Sequence, residues 1–271
     1  MNEIFQALNK EAVFTNEMLA SGATQIRKAN YADKGFYFQA FTALSTGLER
    51  IGKLCLMLDY YIKHNGTFPN LDALKRDIGH DIRLLYFKSK EIIVNRTLSF
   101  IYLDNLDNPV HQNIIDILSN FAKGDRYSNI NLLTTQTRNI DPISEWSERI
   151  DMVLFKQNVS SRKRDEIERN AQIAQQLLGS FAHIIHTSER NKPINSIQNA
   201  SFLTGMNNAV RGLRQFYVAQ IIRYWVELLE ALQYQAMALG KQEIPYMGES
   251  FVVFLNSDKY LKSRKDFVRI R

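Results

Sequence analysis

The sequence predicts an all-α protein, a bundle of antiparallel helices with additional long C-terminal helices. Three observations carry that prediction. Apolar residues recur at three- and four-residue steps along most of the chain. The stripes are punctuated by helix signals: Asn65-Gly66, Asn108-Pro109, Gly124, Asp141-Pro142, Pro193 and Gly240. Apolar residues make up 45% and charged residues 23% of the 271, ordinary values for a chain that buries a core, so long disorder is not expected. That length allows one large helical domain or two smaller ones. The polar run from Thr134 to Pro142 is the candidate boundary, giving a bundle over 1–131 and a helical region over 132–271 packed on it as one unit.

Residues 3–30 form the first predicted helix, with Leu8, Leu19 and Ile26 among its core contacts and Ser21-Gly22 as a candidate break. The second runs from Asp33 to about His64. Phe36, Phe41, Leu44, Leu48, Ile51, Cys55 and Leu58 mark its apolar side, and Ala40, Ala43 and Gly47 permit close approach. A third is predicted over 71–86, with Leu71, Leu74, Ile78, Ile82 and Leu85 in its stripe. The chain then either continues helically to Tyr102 or breaks near Asn95. Asn108 followed by Pro109 starts another helix, because a side-chain acceptor and a fixed φ suit the first turn. Ile114, Ile115, Leu118 and Phe121 form its buried side, and Gly124 stops it.

Asp125 to Asn131 is expected to be a loop. Asp141 and Pro142 open a helix whose buried face holds Ile143, Trp146, Ile150 and Leu154. A long helix is predicted from about Arg162 to Arg190, with Ile167, Ala171, Leu177, Leu178, Phe181 and Ile185 as its stripe. The final long helix spans about Ser196 to Leu239, and its aromatic and methionine stripe reads as core or as a dimer surface. Short helix or turn material follows Pro245.

The formal net charge of +6 and the pI of about 9.3 are compatible with a nucleic-acid partner without demanding one. Lys259 to Arg271 holds six basic residues and one acidic, Asp266. Such an end steers a polyanion or is a frayed, solvated tail. The single cysteine, Cys55, lies in an apolar run and reads as a buried thiol in a reducing compartment. The amino terminus shows no secretory pattern and no segment reaches 18 uninterrupted apolar residues, so the expected location is cytoplasmic, with no membrane partner. His183, His186 and Glu189 have partial metal-ligand spacing but no HExxH pair and no evident further ligand, so no metal site is expected. No phosphate-binding glycine loop or zinc ribbon is present, and no cofactor is implied.

Chemistry concentrates on the helix predicted over 71–86. At roughly 100° per residue, Arg76, His80 and Arg83 share one face within about 60°, opposite the apolar stripe. Arg76 and His80 are four apart, about one turn. Such a face is either plainly solvated or an anion site, in which a histidine titrating near neutrality moves a proton while an arginine grips a phosphate. Glu49 and Lys53, also four apart, read as a helix ion pair.

Several of these elements together resemble the helical HEPN superfamily, in particular bacterial members associated with phage defence and abortive infection. The similar features are Glu49 and Lys53 on the long second helix, the Gly79-His80-Asp81 step, and the Arg126-Tyr127 pair, across about the first half of the chain. The resemblance implies an all-helical domain that often dimerises. In active members it implies a metal-independent endoribonuclease whose arginine and histidine meet at the dimer interface. Carried onto this sequence, Arg76 and His80 are the catalytic pair, and Lys75, Asp81, Arg83, Arg126, Tyr127 and Asn129 hold the substrate. The expected partners are RNA, a second copy of the chain, and an antitoxin or another defence protein. The family signature places four to six residues between arginine and histidine, whereas three separate Arg76 from His80. Lys75 has the four-residue spacing, but lysine lacks the planar fork of arginine. The alternative reading is a non-catalytic helical module that binds nucleic acid, nucleotide or a protein partner. The competing roles are a pairing with Asp125 or a helix end for Arg126 and a cap on the core for Tyr127.

Overall fold

A computed structural model describes residues 2–70, 79–135, 140–182 and 184–268. The chain is predominantly helical, and among the described residues the only extended pairing is an isolated bridge between Thr187 and Pro193. Helix α1, Glu3–Lys28, begins at Asn2, whose side chain accepts from the Ile4 amide. Helix α2, Gly35–Lys63, returns antiparallel to it, with Gly22 opposite Leu44 and Gly47 opposite Leu19. A Cβ on Gly22 would lie 2.6 Å from the Leu44 side chain, and one on Gly47 would lie 2.7 Å from Leu19. The Ser21-Gly22 pair therefore does not break α1: the missing Cβ is where the two rods touch.

The helix predicted as continuous over 71–86 is not regular across its middle. Residues 71–78 lie outside the described region, and helix α3 runs only over Ile82–Asn95. Gly79 has φ of +55°, a left-handed conformation that glycine adopts without steric cost. Gly79, inside the stretch predicted as helix, is thus a turn residue, and Asp81 is a helix cap. Of the two courses open after Ile92, the chain takes the break at Asn95. The Ile101 and Tyr102 amides then donate to Glu227.

Helix α4, Pro109–Lys123, starts as its Asn-Pro signal requires, with the Asn108 side chain accepting from the Val110 amide. Beyond Gly124 the expected loop is helical instead. A 3₁₀ turn, Asp125–Tyr127, leads into α5, Ser128–Thr135. Asp141 caps α6, Pro142–Trp146, which passes through a π-helical turn, Ser147–Asp151, into α7, Met152–Asn158. Helix α8, Ser161–Leu178, ends well before the predicted Arg190. Only Ile167 and Ala171 of its stripe are buried, whereas Leu177, Phe181 and Ile185 stand exposed.

Helix α9, Ile197–Met237, is the axis of the molecule. Its 41 residues span about 60 Å. From Arg214 to Leu229 nearly every side chain is buried, including Trp225, Val226 and Leu228, so this stretch belongs to the core. One continuous apolar cluster joins α1 and α2 to α9 and reaches Phe267 near the carboxyl end. After a 3₁₀ turn, Met247–Phe251, and α10, Asp258–Ser263, the ring of Phe267 stacks on Phe254 with centroids 5.0 Å apart. Up to Val268 the basic end is therefore anchored by the buried Leu261 and Phe267, while Lys259, Lys262 and Lys265 stand exposed. No described helix is long and apolar enough to cross a membrane.

Candidate functional site

The site is built where the start of α3 meets the middle of α2. Because Gly79 turns the backbone, His80 stands off the surface with 64% of its side chain exposed. Its Nδ1 lies 2.8 Å from Glu49 Oε2 on α2. The Glu49 side chain is only 15% exposed, and its other oxygen accepts from Lys53 Nζ at 2.6 Å. The ion pair read from the i, i+4 spacing is present, and it has a second function: it holds the carboxylate that orients the imidazole. Nδ1 is engaged by Glu49, and among the described residues Nε2 has no hydrogen-bond partner. An imidazole fixed at one nitrogen and open at the other accepts or delivers a proton at the open position.

Next to it, Asp81 gathers four donors. Its Oδ1 accepts from the Arg83 and Leu84 amides and from Ser119 Oγ at 2.9 Å, and its Oδ2 accepts from Lys123 Nζ at the end of α4. Burial raises the carboxyl's affinity for a proton, but Lys123 and the other donors outweigh it and hold Asp81 below its ordinary value. Asp81 is thus a structural clamp between α3 and α4. Arg83, expected to face substrate, is also engaged. Its guanidinium reaches Asn120 Oδ1 at 3.2 Å and Asp116 Oδ1 at 3.4 Å, and Asp116 in turn accepts from Arg149 at 3.1 Å.

The remaining predicted residues separate into two groups. Arg76 and Lys75 lie outside the described residues. The one-turn argument that joined Arg76 to His80 needs an unbroken helix, and the described residues Gly79, His80 and Asp81 are not helical. Arg126, Tyr127 and Asn129 follow directly on the Lys123 end of α4, all three exposed, and none has a hydrogen bond or ion pair with His80 among the described residues. Arg126 stacks over the Tyr127 ring, 5.0 Å from guanidinium carbon to centroid, and does not pair with Asp125. Burial and the neighbouring Glu145 push the Asp125 carboxyl up. Tyr127, 48% exposed, does not cap the core.

Reading the sequence missed the Glu49–His80 pairing, since 31 residues separate the partners and only the packing of α3 on α2 joins them. It also missed a sealed ionic cluster. Arg214 of α9 donates to Asp151 Oδ2 at 2.8 Å, to Tyr37 Oη at 3.0 Å and to the Ala29 carbonyl. Both charged side chains are at most 5% exposed. Among the described residues no three His, Cys, Asp or Glu side chains gather as a metal site. His186, considered for such a role, instead packs its ring edge-on against Tyr31 at 5.9 Å, and His183 lies outside the described residues.

The fold and site define an all-helical protein carrying a surface imidazole positioned by a half-buried carboxylate. Comparison with protein families, with curated proteins and with solved structures finds no match for this chain.

Proposed function

We propose that the chain is a metal-independent endoribonuclease of the HEPN type, acting in antiphage defence, in which His80 is the acid–base residue. The observation that carries this reading is the Glu49–His80 pair: an exposed ring, anchored at Nδ1 and open at Nε2. Ribonucleic acid supplies its own nucleophile, the ribose 2′-hydroxyl. His80 Nε2 takes the hydroxyl proton as the oxygen attacks the adjacent phosphorus, or delivers a proton to the departing 5′-oxygen. Glu49 fixes the ring so that the open nitrogen is the reactive one. Arg76 stabilises the charge of the phosphorane, and Arg126 or Tyr127 holds the strand. The resemblance extends the proposal to a homodimer and to a partner protein that restrains the activity, at a cytoplasmic location.

A specific observation favours the second reading, a non-catalytic module binding nucleic acid, nucleotide or protein. Lys53, Arg83 and Lys123 around His80 are each committed to a carboxylate. None of these is left to meet phosphorane charge. Labelled RNA incubated with purified protein and a chelator separates the two. Cleavage by the native chain that drops about 10²- to 10⁴-fold in His80→Ala supports the nuclease. No cleavage by either protein, or equal cleavage by both, leaves the module.

A further inference from the structure

A second cationic group lies away from His80, where the last turn of α1 crosses the middle of α9. The Arg27 guanidinium lies over Gly212: a Cβ built there would stand 3.0 Å from Nη1 and 3.9 Å from Nη2. The same Nη1 donates to Gln215 Oε1 at 3.0 Å, and Gln215 is itself locked by donating to the Ala23 and Lys265 carbonyls. Arg211 is one turn before Gln215 on α9, so its side chain rises from the same face. Arg214 lies nearby, sealed and paired with Asp151.

Arg27 therefore feels two further guanidinium charges, Arg211 and Arg214, and among the described residues the one carboxylate bonded to any of the three, Asp151, is shared by Arg214 and Tyr37. Neither Arg27 nor Arg211 has an ion pair among the described residues. Desolvation, with Arg211 and Arg214 nearby, lowers the Arg27 pKa from its ordinary value. Arg27 is half-buried, and a half-buried charge beside like charges is seldom held without a counter-charge. A cation on the last turn of α1 complements that helix's dipole, which accounts for Arg27 but not for Arg211 in mid-helix.

We infer that Arg27 and Arg211 form a binding site for a phosphoryl oxyanion, with Gln215 and Gly212 positioning the Arg27 fork. Two planar forks suit the tetrahedral oxygens of a phosphate monoester or diester, which each can grip through paired N–H bonds. The same chemistry is offered by free phosphate and by a nucleic-acid backbone, and the test separates them. The site stands apart from His80 and does not depend on the nuclease reading.

The test follows the Gly212 backbone amide by NMR in the full-length chain. Inorganic phosphate is titrated in one series and a single-stranded oligodeoxyribonucleotide without terminal phosphates in another; the DNA lacks the 2′-hydroxyl needed for cleavage. Sodium chloride at matched ionic strength is the control. A saturable shift with either probe, weakened about ten-fold or more in Arg211→Gln and in Arg27→Gln, supports the site, and the probe that binds more tightly identifies the source. Arg211 is exposed, so its variant keeps the fold, which thermal unfolding verifies. A response no greater than chloride's with both probes, or one that persists unchanged in Arg211→Gln, overturns the proposal.

Discussion

Two carboxylate-centred clusters in this molecule use similar residues to opposite ends. At the surface, Glu49 accepts from Lys53 and His80 and leaves the imidazole in water. In the interior, Asp151 accepts from Arg214 and Tyr37, with both charges removed from solvent. Burial pushes the Asp151 carboxyl up against the pull of Arg214. Its Oδ1 and the Arg214 Nε have no hydrogen-bond partner, so the interior cluster is not fully satisfied. The difference lies in what each cluster can exchange with its surroundings. A sealed ion pair fixes how α9 meets the α1–α2 turn and the π-helical turn, whereas the surface one holds a side chain that still meets solvent.

The comparison is broken most severely from the inside. Arg214→Ala leaves the Asp151 charge buried without its partner, and chemical denaturation should record a loss of about 3–5 kcal/mol. The double variant Arg214→Met with Asp151→Leu should recover much of that loss, since the charge is removed along with its partner.

The next largest effect concerns a second imidazole. His111 is buried, with Nε2 3.1 Å from Gln220 Oε1 and Nδ1 without a partner, in contrast to the exposed His80. Burial pushes its pKa from 6.5 down to about 4. Between those values the unfolded chain binds the proton and the folded chain does not, so stability rises with pH. The contribution is fully present above about pH 6.5 and is lost as pH falls through about 4, amounting to roughly 3 kcal/mol. Subtracting the stability–pH curve of His111→Gln from that of the native chain isolates this slope. A difference that stays flat between pH 4 and 6.5 would show that the ring is solvated in the folded protein.

The smallest effect sharpens the surface side. Glu49→Gln and His80→Ala should each change unfolding stability by less than about 1 kcal/mol, because both partners of Glu49 keep contact with water, His80 most of all. If either variant costs as much as Arg214→Ala, the surface cluster is structural and the comparison fails.

Much of the helix grammar was legible in the sequence. Asn108-Pro109 and Asp141-Pro142 start helices, and Gly124 ends one, because the φ restriction and the cap hydrogen bond involve residues within a turn of each other. The stripe of α9 read as core or as a dimer surface, and from Arg214 to Leu229 the core encloses the helix on nearly every side. Where local signals compete, the reading slipped. Gly79 has the same place in a periodic pattern whether the chain passes through it helically or turns, and its φ of +55° decided for the turn. Likewise the stripe after Leu177 continues in sequence although α8 stops at Leu178 and leaves those side chains in solvent. At the candidate site, His80 and the Glu49–Lys53 pair were legible as residues, but their union was not.

By itself the sequence determined a predominantly helical chain, the places where most helices begin and end, and which faces are apolar, since these follow from hydrogen bonds and periodicities within one or two turns. Tertiary structure alone decided that Glu49 meets His80, that Arg214 meets Asp151, and that Gly22 lies against Leu44. A helical period says which side of a rod is turned inward; the register of one rod against another, summed over all its contacts, chooses the partner.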